Sequence, residues 1–266
     1  MLVYRKGGID LSVITLSVDE QIATLTIHSP PANALSSTLI KELDKKLDEI
    51  EKQSVKAVIL KGEGKFFSAG ADIKEFTSLQ QSVDYESLSR NGQIVFDRME
   101  NFHIPIIAAI HGAALGGGLE LAMACHIRIV TNNAKLGMPE LNLGIIPGFA
   151  GTQRLPELVG KAKAYELILT GDFISGEEAE KIGLANRAVN EEEVFTVAEQ
   201  IAKKIVEKSK PSITKIMQLI PCAKNSSFQE GAKKEAQLFS EVFGNDDAKE
   251  GIQAFIEKRK PQFRDK

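Results

Sequence analysis

Over its first half, this chain alternates short apolar segments typical of strands with segments typical of amphipathic helices, and this pattern leaves few possible folds. In residues 21–28, apolar Ile22, Leu25 and Ile27 alternate with threonines, which is typical of a half-buried strand. Residues 36–52 instead repeat leucine and isoleucine every three to four positions, which predicts a helix with one apolar face. By the same criteria we predict strands at residues 11–18, 57–60 and 106–110 and a helix at residues 87–100. This alternation predicts an α/β layered fold.

The pattern changes near residue 191, after which helical periodicity continues without an intervening strand. We predict helices at residues 191–208, 212–224, 228–243 and 246–260. The chain is therefore divided into a core domain of residues 1–190 and a helical C-terminal region of residues 191–266.

The bulk composition argues against several functional classes. The 266 residues carry a net charge of −3, so the chain as a whole has no general attraction for nucleic acid or an anionic membrane. Two cysteines without a CxxC spacing argue against a disulfide framework, and no apolar run approaches the length of about 20 residues that spans a membrane. The four histidines lack i, i+4 spacing, so we predict no metal site. These features predict a cytoplasmic protein that binds neither nucleic acid nor membrane.

The first segment with chemical interest is residues 66–74, where small residues follow a predicted strand. Small side chains allow a ligand to approach backbone N–H groups, and a turn in this segment can direct one such group outward. The alternative interpretation is a tight turn with no further role.

The second segment is residues 113–123, in which three consecutive glycines precede a helix-forming run that contains Glu120. A helix N-terminus has free N–H groups and a partial positive charge, which suit an anion or a developing oxyanion. Glu120 lies one helical turn past Gly117, which places a carboxylate beside these donors. The alternative is a glycine-rich packing contact with a solvated glutamate. The spacing fits neither a P-loop nor a dinucleotide-binding motif.

The third segment is residues 137–154, which place Glu140 in an apolar loop punctuated by glycine and proline. Apolar surroundings raise the pKa of a carboxyl group and allow it to hold or release a proton near neutral pH. The alternative is a helix N-terminal residue after Pro139, stabilised by the helix dipole. Two carboxyl groups in different environments are what acid–base addition of water requires.

With their flanking residues, these segments read FFSAGADIKEF, IAAIHGAALGGGLELAMACHIRI and LGMPELNLGIIPGFAGTQRLPELVG, and residues 250–263 near the end of the chain read EGIQAFIEKRKPQF. Together they resemble the enoyl-CoA hydratases of the crotonase superfamily, most closely those of fatty-acid β-oxidation. The resemblance implies a spiral of ββα units with a helical C-terminal trimerisation region. It also implies homotrimers, which usually pair into hexamers.

The resemblance implies specific roles for residues of this chain. Glu120 and Glu140 take the catalytic glutamate positions, the N–H groups of Ala71 and Gly117 form the oxyanion hole, and the N–H of Gly148 helps to hold the catalytic water. The coenzyme A moiety is expected against Ala69, Gly70, Ala71, Asp72, Ile73, Lys74 and Gly117. Phe255 and Lys258 are expected to complete that site, from the same chain or from a neighbouring subunit. No cofactor is expected, because coenzyme A is part of the substrate.

Both glutamates are present, which favours hydration of a trans-2-enoyl-CoA over the reactions of relatives that lack one of them. The alternatives are an enoyl-CoA isomerase or another crotonase-type enzyme, an RNA-binding member, and a catalytically silent subunit. The loop HSPPANAL at residues 28–35 departs from the family pattern, in which many relatives carry a basic residue. Lys74 and Lys258 are therefore expected to provide more of the charge that meets the phosphates. The acyl chain is expected near residues 75–90 and the C-terminal helices.

Overall fold

The computed structural model describes residues 12–78 and 82–266. Leu11, the first residue of a predicted strand, and part of the segment 75–90 lie outside this range. The strands are β1 (Ile14–Asp19), β2 (Ile22–Ile27), β3 (Ala57–Gly62), β4 (Ile106–Ile110), β5 (Ala113–Leu115), β6 (Ile127–Thr131), β7 (Lys135–Gly137), β8 (Phe173–Ile174) and β9 (Arg187–Val189). The helices are α1 (Ser37–Glu51), α2 (Ile73–Ser78), α3 (Ser82–Glu100), α4 (Gly117–Met123), α5 (Gly151–Val159), α6 (Lys161–Thr170), α7 (Gly176–Lys181), α8 (Val194–Val206), α9 (Lys210–Leu219), α10 (Cys222–Asn225), α11 (Phe228–Phe243) and α12 (Asp246–Ile256). The predicted α/β class is confirmed.

The strands form a six-stranded sheet, in the order β1-β2-β3-β4-β6-β9, and a three-stranded sheet, in the order β5-β7-β8. In the larger sheet, β1 is antiparallel to β2 and every following pair is parallel. Parallel neighbours end at the same edge of a sheet, where ligand sites of α/β folds usually form. The chain segments that leave β3 and β4 therefore begin side by side.

The larger sheet is covered on both faces, which explains why its central strands are continuously apolar. In β3, Val58 and Leu60 belong to the main core together with α1, whereas Ala57 and Ile59 pack with residues of α8. The C-terminal region thus begins with a helix that belongs physically to the sheet. The division at residue 190 stays a prediction.

Helix α1 confirms the amphipathic helix predicted at residues 36–52. Ser36 caps its N-terminus by accepting a hydrogen bond from the Leu39 N–H. The buried residues of the helix repeat at the helical spacing that the sequence showed; they are Leu39, Ile40, Leu43, Leu47 and Ile50.

Two predicted C-terminal helices have different bounds in the structure. The predicted helix 212–224 is two helices, α9 and α10, because Pro221 lies between them and cannot donate the hydrogen bond that would continue a helix. The predicted helix 246–260 ends at Ile256, and Lys258 adopts a left-handed φ of 55° that a helix does not accommodate.

The last helices leave much of their apolar surface uncovered within one chain. Phe228, Phe239, Phe243 and Phe255 are all more than half exposed, and Phe228 is 89% exposed. Exposed apolar surface of this extent is typical of an interaction face. Among the described residues, no helix combines the length and the hydropathy needed to cross a membrane.

Candidate active site

The segment that follows β3 is held in place by the loop before α1. The buried Asn33 donates from Nδ2 to the Phe66 carbonyl at 2.7 Å and to the Glu63 carbonyl at 2.9 Å. Ser68 Oγ donates to the Asn33 carbonyl at 2.8 Å, and the Leu35 N–H donates to the Gly70 carbonyl at 2.8 Å. These bonds fix the backbone immediately before Ala71.

The segment that follows β5 brings a second backbone N–H to the same place. Helix α4 begins at Gly117, and a β-carbon built on Gly117 would lie 3.2 Å from the Ala71 nitrogen. Neither the Ala71 N–H nor the Gly117 N–H has a hydrogen-bond acceptor within residues 12–78 and 82–266. Backbone donors are normally paired when they are not exposed to water, so this pair is suited to an oxygen atom of a ligand.

Two neighbouring glycines allow the backbone to approach this site closely. Gly116 has φ of 48° and ψ of −122°, a conformation that glycine adopts without strain. A β-carbon on Gly116 would lie 2.6 Å from Oε1 of Glu140, and one on Gly118 would overlap the Ser68 carbonyl. The glycines therefore serve close packing around the two donors as well as access to them.

Glu120 projects from α4 and is almost completely buried. Its Oε1 accepts hydrogen bonds from the Phe149 N–H at 2.8 Å and the Gly151 N–H at 2.7 Å. Burial raises the pKa of Glu120 to about 7; repulsion from Glu140 adds to the shift, and the two N–H groups and Arg154 oppose it. Glu120 can therefore exchange a proton near neutral pH.

Glu140 lies in a 3-10 helix (Pro139–Leu143) that follows β7. Its Oε2 is buried and has no hydrogen-bond donor within the described part of the chain. Burial raises the pKa of this carboxyl group, as the apolar loop predicted, and the backbone N–H of Glu140 itself opposes the shift. The alternative prediction placed Glu140 at a helix N-terminus after Pro139. Glu140 does lie in the first turn of this 3-10 helix, so both predictions apply to the same position. The environment favours the protonated form, because a carboxylate oxygen without a donor is costly to bury.

Gly148 lies directly before the segment that binds Glu120. Its carbonyl accepts hydrogen bonds from Ser89 Oγ and from Gln93 Nε2, both on α3. Its N–H has no acceptor in the residues that the structure describes. Helix α3 thus fixes the orientation of Gly148 and leaves one more donor available.

The structure brings the predicted catalytic residues together, from four separate segments of the chain. The residues predicted to bind coenzyme A divide into two groups. The first group is the segment that carries the Ala71 N–H and continues into α2. It consists of Ala69, Gly70, Ala71, Asp72, Ile73 and Lys74. The Lys74 side chain is exposed and has no ion-pair partner within the described ranges.

Phe255 and Lys258 are not joined to that group by any hydrogen bond or ion pair of the described residues. The chain end that follows them is bound at the opposite edge of the sheet, where Asp265 pairs with Lys56 at 2.7 Å. Lys56 directly precedes β3, whereas Ala69 follows its carboxyl end. Phe255 itself is 84% exposed.

Two buried polar residues beside the site, Asn33 and Arg154, were not assigned a role from the sequence. Asn33 has a φ of 52°, and Arg154 is a buried arginine on α5. An asparagine between prolines and a helix signals only a turn, and an arginine in an amphipathic helix usually signals a solvated face. The sequence therefore carries no signal that identifies either contact.

The raised pKa of Glu120 predicts a pH-dependent gain of stability in Glu120→Gln. Between pH 4.5 and about 7 the folded state holds a proton that the unfolded state has released, so the free energy of unfolding falls as pH rises through this window. A shift of this size corresponds to about 3 kcal/mol at most. We expect Glu120→Gln to have a higher Tm than the wild type at about pH 8 and a similar Tm at about pH 5.

The control is Glu166→Gln, which neutralises an exposed carboxylate paired with Lys163. Its Tm relative to the wild type should be nearly independent of pH, because surface ion pairs contribute little. An equal difference in Tm between Glu120→Gln and the wild type at both pH values would contradict the prediction.

Comparison with known proteins identifies the family. Residues 17–266 match the family model described as enoyl-CoA hydratase/isomerase. A protein of Bacillus subtilis named probable enoyl-CoA hydratase is 57% identical over 96% of this chain and 99% of its own. A short-chain-enoyl-CoA hydratase of Clostridium acetobutylicum is 42% identical over 94% of this chain and 97% of its own.

A solved structure shows the same fold. The enoyl-CoA hydratase of Bacillus anthracis superposes with a TM-score of 0.92 at 35% identity, over 96% of this chain and all of its own. The predicted crotonase-type architecture is thereby confirmed. This chain belongs to the enoyl-CoA hydratase/isomerase family, the crotonase superfamily.

Proposed function

We propose that the protein is an enoyl-CoA hydratase, a hydro-lyase that adds water to trans-2-enoyl-CoA and forms 3-hydroxyacyl-CoA in fatty-acid β-oxidation. The observation that carries the proposal is the placement of two buried carboxyl groups, Glu120 and Glu140, beside two N–H groups that have no acceptor among the described residues. The names of the Bacillus subtilis and Clostridium acetobutylicum relatives support the same reaction.

The Ala71 and Gly117 N–H groups bind the thioester oxygen in this proposal. Addition of water at C3 moves electron density to that oxygen and produces an enolate. Two fixed donors stabilise this charge more strongly than the neutral carbonyl, and loss of one such donor typically costs about 2.7–4 kcal/mol.

The two glutamates divide the proton transfers. Water bound between them loses a proton to Glu120 as its oxygen attacks C3, and Glu140 then donates a proton to C2. The hydrogen bonds support this division, because Glu120 Oε1 accepts two N–H bonds that stabilise an anion, whereas Glu140 Oε2 accepts none from the described residues. The Gly148 N–H is placed to hold the same water. The reaction as proposed uses no metal and no cofactor, since these groups supply both proton transfers.

Coenzyme A is proposed to lie along residues 69–74, with Lys74 near its phosphates. Phe255 and Lys258 complete the site from a neighbouring subunit, because the chain end is bound at the far edge of its own sheet. The exposed apolar faces of α11 and α12 support a homotrimer, or a hexamer of two trimers. The proposed location of this assembly is the cytoplasm. A mass in solution of one chain, 29.0 kDa, would contradict this assembly.

The function is tested by incubating the protein with crotonyl-CoA and following the loss of ultraviolet absorbance of the conjugated thioester. We expect rapid loss and 3-hydroxybutyryl-CoA as the product, identified by mass spectrometry. Conversion of a 3-enoyl-CoA into a 2-enoyl-CoA without hydration would favour an isomerase. Absence of turnover on any enoyl-CoA would favour a silent subunit.

A further inference from the structure

Arg154 carries a buried charge to which the proposed reaction assigns no role. It is 3% exposed, and its guanidinium donates three hydrogen bonds. Nη1 binds the Phe149 carbonyl at 2.8 Å, Nε binds Glu100 Oε2 at 2.8 Å, and Nη2 binds Asp97 Oδ1 at 2.6 Å. A planar, forked donor that satisfies three acceptors at once is a task for arginine rather than lysine.

Phe149 connects this arginine to the candidate active site. The Phe149 carbonyl accepts from Arg154, and the Phe149 N–H donates to Glu120 Oε1 at 2.8 Å. The Gly151 N–H donates to the same oxygen at 2.7 Å. The orientation of the segment 149–151 therefore determines where the Glu120 carboxyl group is held.

The aromatic ring of Phe149 does not replace this support. It packs edge-on against Phe96 of α3, with the ring centroids 5.4 Å apart, and it lies against Gly92 and Gly117. These apolar contacts fix the ring, but if Arg154 is removed, no other donor from the described part of the chain reaches the Phe149 carbonyl. A buried carbonyl that loses its donor is unfavourable, and the segment can relieve this cost by moving.

We propose that Arg154 is a positioning residue for hydration, which holds the segment 149–151 so that two N–H groups bind one oxygen of Glu120 and leave the other oxygen for water. The inference rests on the proposed role of Glu120 as the base. It predicts that Arg154 acts through Glu120 and does not contact the substrate.

The charge of Arg154 favours ionisation of Glu120, as do the two hydrogen bonds that Glu120 accepts from the segment 149–151. Glu120 faces Glu140, which opposes ionisation, and Arg154, which lowers the pKa of Glu120. The arginine itself faces Asp97 and Glu100 on α3, and Glu100 also pairs with Lys224 at 3.4 Å. Lys224 pairs in addition with Glu157 at 3.0 Å. Removal of Arg154 therefore raises the pKa of Glu120 and leaves two carboxylates without their buried partner.

The test measures kcat and KM for crotonyl-CoA from about pH 5 to about pH 9 in Arg154→Met and Arg154→Lys. In Arg154→Met we expect kcat/KM to fall about 100-fold, since a small displacement of a catalytic group has this effect. The acidic limb of its pH profile of kcat/KM should move about one pH unit upward, because Glu120 must be ionised to act as the base. Arg154→Lys should lose kcat and retain the acidic limb of the wild type, since it keeps the charge and loses the fork.

Arg98→Met is the matched control, because Arg98 is also an arginine that binds several carboxylates, Asp44 and Asp48 among them, on the side of α1. Its pH profile should equal that of the wild type. A folded Arg154→Met with kcat/KM within about three-fold of the wild type and an unmoved limb would overturn the inference.

If Arg154→Met does not fold, the role of Arg154 is tested with Arg154→Lys alone. An unchanged kcat in Arg154→Lys then overturns the inference. Glu120→Gln is measured in parallel and separates the two proposals. Full activity in Glu120→Gln removes the proposed base, whereas an inactive Glu120→Gln beside an unaffected Arg154→Lys removes only the role of Arg154.

Discussion

Replacing Glu140 or Glu120 with glutamine is expected to lower kcat for crotonyl-CoA hydration by about 10²–10⁴-fold, which is the usual contribution of a positioned acid or base. Glutamine keeps the shape of each side chain and removes its ability to exchange a proton. At position 120 the amide oxygen can still accept the N–H groups of Phe149 and Gly151. The loss therefore reports proton transfer rather than a collapsed site.

The two substitutions should not be additive. If Glu120 and Glu140 act on one water, the double variant should be little worse than either single variant, because residues that act as a unit lose their shared contribution once. The exposed Glu166→Gln serves as the control and should retain wild-type kcat. Turnover of Glu140→Gln within a few-fold of the wild type would show that Glu140 is not the acid.

The second large effect is expected at Gly117, where proline removes the proposed oxyanion donor. Gly117 is the first residue of α4, a position at which proline fits a helix and at which no intrahelical hydrogen bond is lost. We expect kcat of Gly117→Pro to be about 10²–10³-fold lower than that of Gly117→Ala, the range that one such donor contributes.

Gly117→Ala is the necessary comparison because both variants add a β-carbon. That atom would lie 3.1 Å from Cε2 of Phe149 and 3.2 Å from the Ala71 nitrogen, so some loss from crowding is expected in each. Only proline removes the N–H. Equal kcat values for folded Gly117→Pro and Gly117→Ala would remove Gly117 from the oxyanion hole.

Much of the local structure was predictable because it depends on short-range periodicity. The strands β2 and β4 and the helices α1 and α11 lie where the apolar spacing predicted them. The strands β5, β7, β8 and β9 have only two or three residues each, too few for such a pattern, and pairing with distant strands decides them. Pro221 is a local signal for a helix break, and the prediction of one helix over residues 212–224 did not take it into account.

The family was predictable from the amino-acid sequence alone, since three motifs occur in order with both glutamates, and the raised pKa of Glu140 was predictable from its apolar surroundings. Which backbone groups face each other depends instead on how distant segments pack in the folded chain. Ala71 and Gly117 meet because β3 and β4 are parallel neighbours, which no local pattern specifies. The same holds for Arg154, whose hydrogen-bond partners come from α3 and from the loop before α5. Periodicity records which face of an element is buried, but hydrogen bonds between distant segments depend on how those elements pack.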